Sequence, residues 1–273
     1  MEKFQTQVAA NLDIALEGAK DVVYFTHDYF SSTSDKNSFI QTTSKLAKKH
    51  GVKKFVAVCP IEHELYWTED KQTPIEKRDE AQLKALQANG NLTILNSNLV
   101  FGKDSYLLHY MTQCVAAGKI PKAIGGSKGF QYKPVSGEDL TAAVETAFNT
   151  AESKGKRFTL NGTQGATLNE LLSLTQKLVG NDNTKLASSL LGLNLSDYVE
   201  EFFTGITHDK NMSRLAEFFD SNSLNLEADQ PDFFKQFGIN QKVSLQDYYG
   251  GKKVKEEELV FPIFTSYKSV SLD

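Results

Sequence analysis

Three short apolar runs, each followed by a stretch of helical period, constrain this chain more than any other feature. The runs are Asp21-Val-Val-Tyr-Phe-Thr26, Val52-Lys-Lys-Phe-Val-Ala-Val-Cys59 and Leu92-Thr-Ile-Leu-Asn-Ser97. They are rich in β-branched and aromatic residues and do not alternate apolar with polar, which predicts strands covered on both faces. Residues 36–50 place Phe39, Ile40, Thr43, Leu46 and Ala47 on one helical face, with Gly51 as the stop. A second helix is expected from Pro74 to Asn89, with Pro74 in its first turn and Gly90 at its end. Phe4, Val8, Leu12 and Leu16 predict a helix over residues 4–19. Further helices are expected over residues 104–118 and 138–152, the latter opened by Glu138 and Asp139, which favour a helix N-terminus. Arg157-Phe-Thr-Leu160 reads as a fourth strand, and Thr167-Leu-Asn-Glu170 as a capping box before a helix reaching Val179.

Strand–helix alternation with short loops predicts an α/β domain with a doubly wound parallel sheet over residues 1–180. From 181 onward the strand pattern stops, and residues 181–273 are expected to form a mainly helical or irregular lobe. Its aromatic pairs, Phe202-Phe203, Phe218-Phe219 and Phe233-Phe234, are read as packing residues. The tail Leu259-Val-Phe-Pro-Ile-Phe264 either packs back on the domain or docks on a partner.

Composition excludes several function classes. A net charge of −4 without a basic stripe argues against a nucleic-acid partner. No run of 18 apolar residues is present, so no transmembrane segment is expected. Cys59 and Cys114 lie in apolar surroundings and do not make a disulfide framework. Histidines 27, 50, 63, 109 and 208 show no metal-ligand spacing, so no metal site is expected. Arginine occurs only at 78, 157 and 214, which reads as coding bias.

Five segments, in order, resemble the extended and atypical short-chain dehydrogenases/reductases, the superfamily of the NAD-dependent epimerases. Asp21–Thr26 resembles the family's fourth strand, Gly51–Pro60 its fifth, and Leu92–Gly102 its sixth with the exit loop. Lys133-Pro-Val-Ser-Gly-Glu-Asp-Leu140 resembles its "Pro-Val-x-Val-x-Asp-Val" segment. Arg157–Gly162 followed by Thr167-Leu-Asn-Glu-Leu171 resembles "Tyr-x-Leu-x-Gly…Thr-x-x-Glu-Leu". Within the superfamily, Val100–Leu108, Thr207–Arg214, Phe237-Gly-Ile239 and Ser244-Leu245 resemble the accessory subunits of mitochondrial respiratory complex I called alpha subcomplex subunit 9. The resemblance implies a partial Rossmann-like fold. It implies membership of a large assembly, the peripheral arm of complex I or a supercomplex, on the matrix side of the inner mitochondrial membrane. No targeting peptide is visible over Met1–Gln5.

Two elements of the family pattern have no counterpart. A dinucleotide site needs a glycine-rich turn after the first strand, so that backbone amides at a helix N-terminus can hold the pyrophosphate. The family's first three strands are not matched, and Gly125-Gly126-Ser-Lys-Gly129 does not follow a strand with the required spacing. Family catalysis uses Tyr-x-x-x-Lys, in which the lysine lowers the tyrosine pKa. The corresponding helix reads Thr73-Pro-Ile-Glu-Lys-Arg-Asp-Glu80, without the tyrosine; Lys77 is either a remnant of the pair or a solvated lysine.

The residues that the resemblance places beside a cofactor are Phe25, Thr26, His27, Cys59, Pro60, Lys77, Ser97 and Asn98, expected to line a vestigial crevice. No cofactor is expected from this chain alone; NADPH is expected only if another chain completes the site. The reading is therefore a non-catalytic accessory subunit. The alternatives are an NAD(P)-dependent reductase or epimerase whose nucleotide-binding half another chain supplies, or a regulatory dinucleotide-binding protein of the NmrA-like type. In each case the Val22–Thr26 strand would be an open edge, which natural proteins cover. Cover is expected from residues 1–19, from the downstream lobe or from another polypeptide.

Overall fold

The computed structural model describes residues 11–25, 33–60, 74–102, 132–166, 168–179 and 230–249. Helical residues 11–16 (α1) lead to β1 (Asp21–Phe25), α2 (Thr33–Lys49), β2 (Lys54–Pro60), α3 (Pro74–Ala88), β3 (Leu92–Ser97) and β4 (Val100–Phe101). Then follow β5 (Val135–Ser136), α4 (Gly137–Asn149), a 3-10 turn (Ala151–Ser153), β6 (Arg157–Leu160), α5 (Leu168–Val179), α6 (Phe233–Gln236) and α7 (Leu245–Tyr249).

The main sheet is parallel throughout, in the order β1-β2-β3-β6, and β4 pairs with β5 in a second parallel pair. The fold is the expected Rossmann-like α/β arrangement, with helices on both faces of the sheet. Side chains alternate across a strand, and the core divides accordingly. Phe55, Ala57, Cys59, Leu92 and Ile94 pack against Leu16, Ile40, Ala47, Ala81 and Ala85 on the α2–α3 side. Val56, Val58, Leu95, Phe158 and Leu160 pack against Leu140, Ala143, Val144 and Ala147 of α4 on the other side.

The sequence explains the element ends. Gly51 has φ +70° after α2, the left-handed conformation of a helix stop. Ser136 caps α4: its hydroxyl accepts the Asp139 N–H at 3.0 Å and donates to the Asp139 carboxylate at 2.8 Å. The predicted helices over 36–50, Pro74–Asn89 and 138–152 match α2, α3 and α4 with its trailing turn. The helix expected over 104–118, residue Thr167 of the capping box, Cys114, and the pairs at 202–203 and 218–219 lie outside the described residues, as does the tail at 259–264.

One expectation fails at the edge of the sheet. All six residues of β3 are buried, as predicted for a strand covered on both faces. In β1, by contrast, Asp21, Val23 and Phe25 are exposed while Val22 and Tyr24 are partly buried. Val22 and Tyr24 pack on the α2–α3 core. Val23 and Phe25 point to the opposite face, where α4 lies over β2. The unbroken apolar run records the strand's character and not its position at the edge.

A second difference concerns residues 230–249, expected in the downstream lobe. Phe233 and Phe234 are buried in the sheet's own core, with the Phe158 and Phe233 rings edge to face at 5.1 Å. Thr159 N–H donates to Pro231 O at 3.0 Å, and Asp232 bridges β6 in parallel. The segment thus continues the sheet beyond β6.

Candidate functional site

Open α/β sheets bind ligands outside the carboxyl ends of their strands, at the point where the strand order reverses. Among the described strands the order runs one way, from β1 to β6, with β1 at its outer edge. No described strand pairs with that edge.

The parallel register places the carboxyl ends of β1, β2 and β3 side by side. Phe25 sits beside Val58, and Pro60 beside Ser97. Phe25 is 56% exposed at the end of the edge strand. The Cys59 side chain is buried within the α2–α3 core. The Ser97 side chain is buried, and its hydroxyl donates to Asn98 O at 2.9 Å. Asn98 serves the backbone around it, since its side-chain oxygen accepts the N–H of Leu99 at 2.9 Å and of Lys133 at 3.2 Å. It fastens the exit of β3 to the start of β5. Lys77 lies in the first turn of α3. Thr26 and His27 lie outside the described residues.

Two buried polar constellations were not foreseen. On the α3 face of β3 and β6, Gln82 and Asn96 exchange side-chain amide bonds (2.7 and 3.1 Å), and Asn96 donates a further one to Gln230 at 2.7 Å. Each amide offers both a donor and an acceptor, so a triad of this kind can satisfy itself without water. Beside it, Arg78 donates to Asp79 through Nε at 3.2 Å and Nη2 at 2.9 Å. Arg157 Nη1 lies 2.9 Å from the same carboxylate oxygen, close enough to pair but not aligned for a hydrogen bond. Two of the chain's three arginines therefore meet at one aspartate. Their scarcity, read as coding bias, was the available signal.

At the opposite end of β4, the Tyr249 hydroxyl donates to Gly102 O at 3.2 Å and the ring packs on Phe101. Burial first, and then the neighbouring Tyr248, push its phenol pKa far above the ordinary 10 despite the Gly102 contact. Such a phenol stays protonated at neutral pH. Among the described residues no group of three His, Cys, Asp or Glu side chains could hold a metal ion. No described helix is long and apolar enough to cross a membrane.

No protein-family model and no curated protein sequence matches the chain. Solved structures do share its fold. A nucleoside-diphosphate-sugar epimerase from Staphylococcus aureus superposes with a TM-score of 0.61 at 16% identity, over 88% of this chain and 80% of its own. Triphenylmethane reductase from Citrobacter sp., solved with NADP(H), gives 0.59 at 14% identity, over 88% and 79%. The Bordetella bronchiseptica enzyme WbmG, solved with NAD and UDP, gives 0.58 at 14%, over 89% and 74%. At these identities the likeness defines a class of fold, that of the NAD-dependent epimerase and short-chain reductase type.

Proposed function

We propose that this chain forms the larger part of an NAD(P)-dependent reductase or epimerase of the short-chain type. Its dinucleotide crevice is closed by polypeptide added along the outer edge of β1. One observation carries the reading: Val23 and Phe25 are 40% and 56% exposed on the same face of β1, the strand at the sheet's outer edge. An added glycine-rich strand–helix unit would cover both side chains and supply the backbone amides that a diphosphate needs. The chain's own share would be the carboxyl ends of β1, β2 and β3, held in place by Asn98. NAD(P) supplies hydride chemistry when bound; the described residues include no Tyr-x-x-x-Lys pair in α3 to move the accompanying proton.

The complex I accessory role rests on short sequence resemblances, of which residues 103–108 and 207–214 lie outside the described set. None of the structural neighbours named above is such a subunit, and they favour the reductase or epimerase side of the expectation.

The test compares the protein isolated from its own cells with the recombinant 273-residue chain. Dinucleotide content is read by mass spectrometry and NADPH binding by fluorescence titration. The native form is expected to carry or bind NAD(P)H, and the isolated chain to bind it far more weakly. A native form that neither carries nor binds dinucleotide would remove the reading.

A further inference from the structure

Arg78 and Arg157 bring two permanent positive charges to one carboxylate. The Arg78 side chain is only 4% exposed, that of Arg157 16% and that of Asp79 29%. Guanidinium does not lose its proton in proteins, so among the described side chains two permanent positive charges meet one carboxylate, with Arg78 well buried and Asp79 partly exposed. Charge buried without a counter-charge is costly. The neighbouring polar side chains do not offset it: Gln82, Asn96 and Gln230 are neutral and bond to one another. Glu80, also on α3, pairs with Lys84 four residues on. Among the described residues, buried Arg78 Nη1 has no hydrogen-bond acceptor, and Arg157 Nη1 has only the misaligned Asp79 oxygen at 2.9 Å.

We propose that Arg78 and Arg157 form a binding site for a small oxyanion at the junction of α3 and β6. The guanidinium fork matches two oxygens of a phosphate or carboxylate, which a single lysine ammonium would not. One negative charge on the ligand would bring the cluster to neutrality. Asp79 and Arg157 are the more exposed members of the cluster, and Arg78 is the more buried. Asp79 both holds the two arginines together and competes with the ligand for them. This site lies on the α3–β6 side of the sheet, away from the β1 edge, and does not depend on a dinucleotide binding there.

The probe is inorganic phosphate, with acetate as a second arm and chloride at matched ionic strength as the control. Thermal unfolding of the full chain reads the binding, because a ligand that binds only the folded state raises the midpoint in proportion to the logarithm of its concentration. Phosphate or acetate is expected to raise the midpoint where chloride does not; whichever acts identifies the oxyanion. Arg157→Met, at the partly exposed position, is expected to abolish the effect. Asp79→Asn removes the competing charge and is expected to tighten binding by about tenfold. Oxyanions that act no better than chloride on the unmodified chain would overturn the proposal. So would an effect that survives unchanged in Arg157→Met, which would place the binding elsewhere.

Discussion

Gly162 and Pro134 lie in direct backbone contact: a β-carbon on Gly162 would overlap the Pro134 carbonyl. The Gly162 N–H donates to Lys133 O at 2.9 Å, and Tyr132 and Ala166 form a bridge alongside. The loop after β6 is thereby pressed onto the strand that leads into β5. The glycine of the Arg157–Gly162 segment is thus needed for close approach and not for a turn conformation.

Gly162→Ala must therefore displace backbone on one side or the other. Overpacking of this sort costs about 1–3 kcal/mol, and urea unfolding should show a lower midpoint with an unchanged slope. A variant as stable as the parent would mean that the two loops separate freely.

The Phe233 ring is fully buried, 5.1 Å from Phe158 and 4.5 Å from Phe237. Truncating such a ring costs about 3–5 kcal/mol. Phe233→Ala is expected to lower the unfolding midpoint of the whole sheet, seen together by circular dichroism and by hydrogen exchange in β2 and β3. Loss confined to residues beyond 230 would show that this segment stands apart from the sheet.

How much of the fold and the crevice was legible in the sequence follows from what each residue senses. The period of apolar residues depends on local neighbours, so β2, β3, α2 and α4 could be read from it. The exposure of Val23 and Phe25 depends on which strand lies beside β1, and the run Asp21–Thr26 carries no mark of that. Phe233 belongs to the sheet through contacts with Phe158 and Leu160, more than seventy positions earlier. The parallel register sets Phe25 beside Val58 and Pro60 beside Ser97, while the Cys59 side chain enters the α2–α3 core on the face opposite Phe25. Asn98 serves the loop, which its position at a strand end could not reveal. Asn96 looked like one more strand residue, because its partners Gln82 and Gln230 are joined to it only by folding.

The amide triad has its own consequence. Asn96→Leu removes three hydrogen bonds and leaves the Gln82 and Gln230 side chains without their partner in a buried setting. Each orphaned group costs about 1–3 kcal/mol, so the loss should exceed that of a surface substitution by a wide margin. Chemical denaturation of Asn96→Leu beside the Asn96→Leu/Gln82→Leu double variant separates the terms. The double variant is expected to lose less than the sum of the single changes.

At the other end of the α2–α3 layer, Asp13 of α1 pairs with Lys49 at 2.8 Å and with His50 at 2.5 Å. Hydrogen bonds from Lys49 and then His50 hold its carboxyl below the ordinary 3.8. A carboxyl lowered in the folded state stabilises that state above its unfolded pKa, and the contribution is lost as pH falls through the lower folded value. The docking of α1, read from the methyl resonances of Leu16, should therefore loosen only below about pH 3.8. Asp13→Asn should remove that acid response; an identical response in both proteins would assign it to other groups.

Hydrogen exchange across Val22–Phe25 is the closest probe of a sheet completed at β1. In the isolated chain this segment should exchange fast relative to β2 and β3, and in the protein taken from its own cells it should be strongly protected. Equal, rapid exchange in both forms would mean that nothing is added along β1, and the proposed dinucleotide crevice would have no second wall.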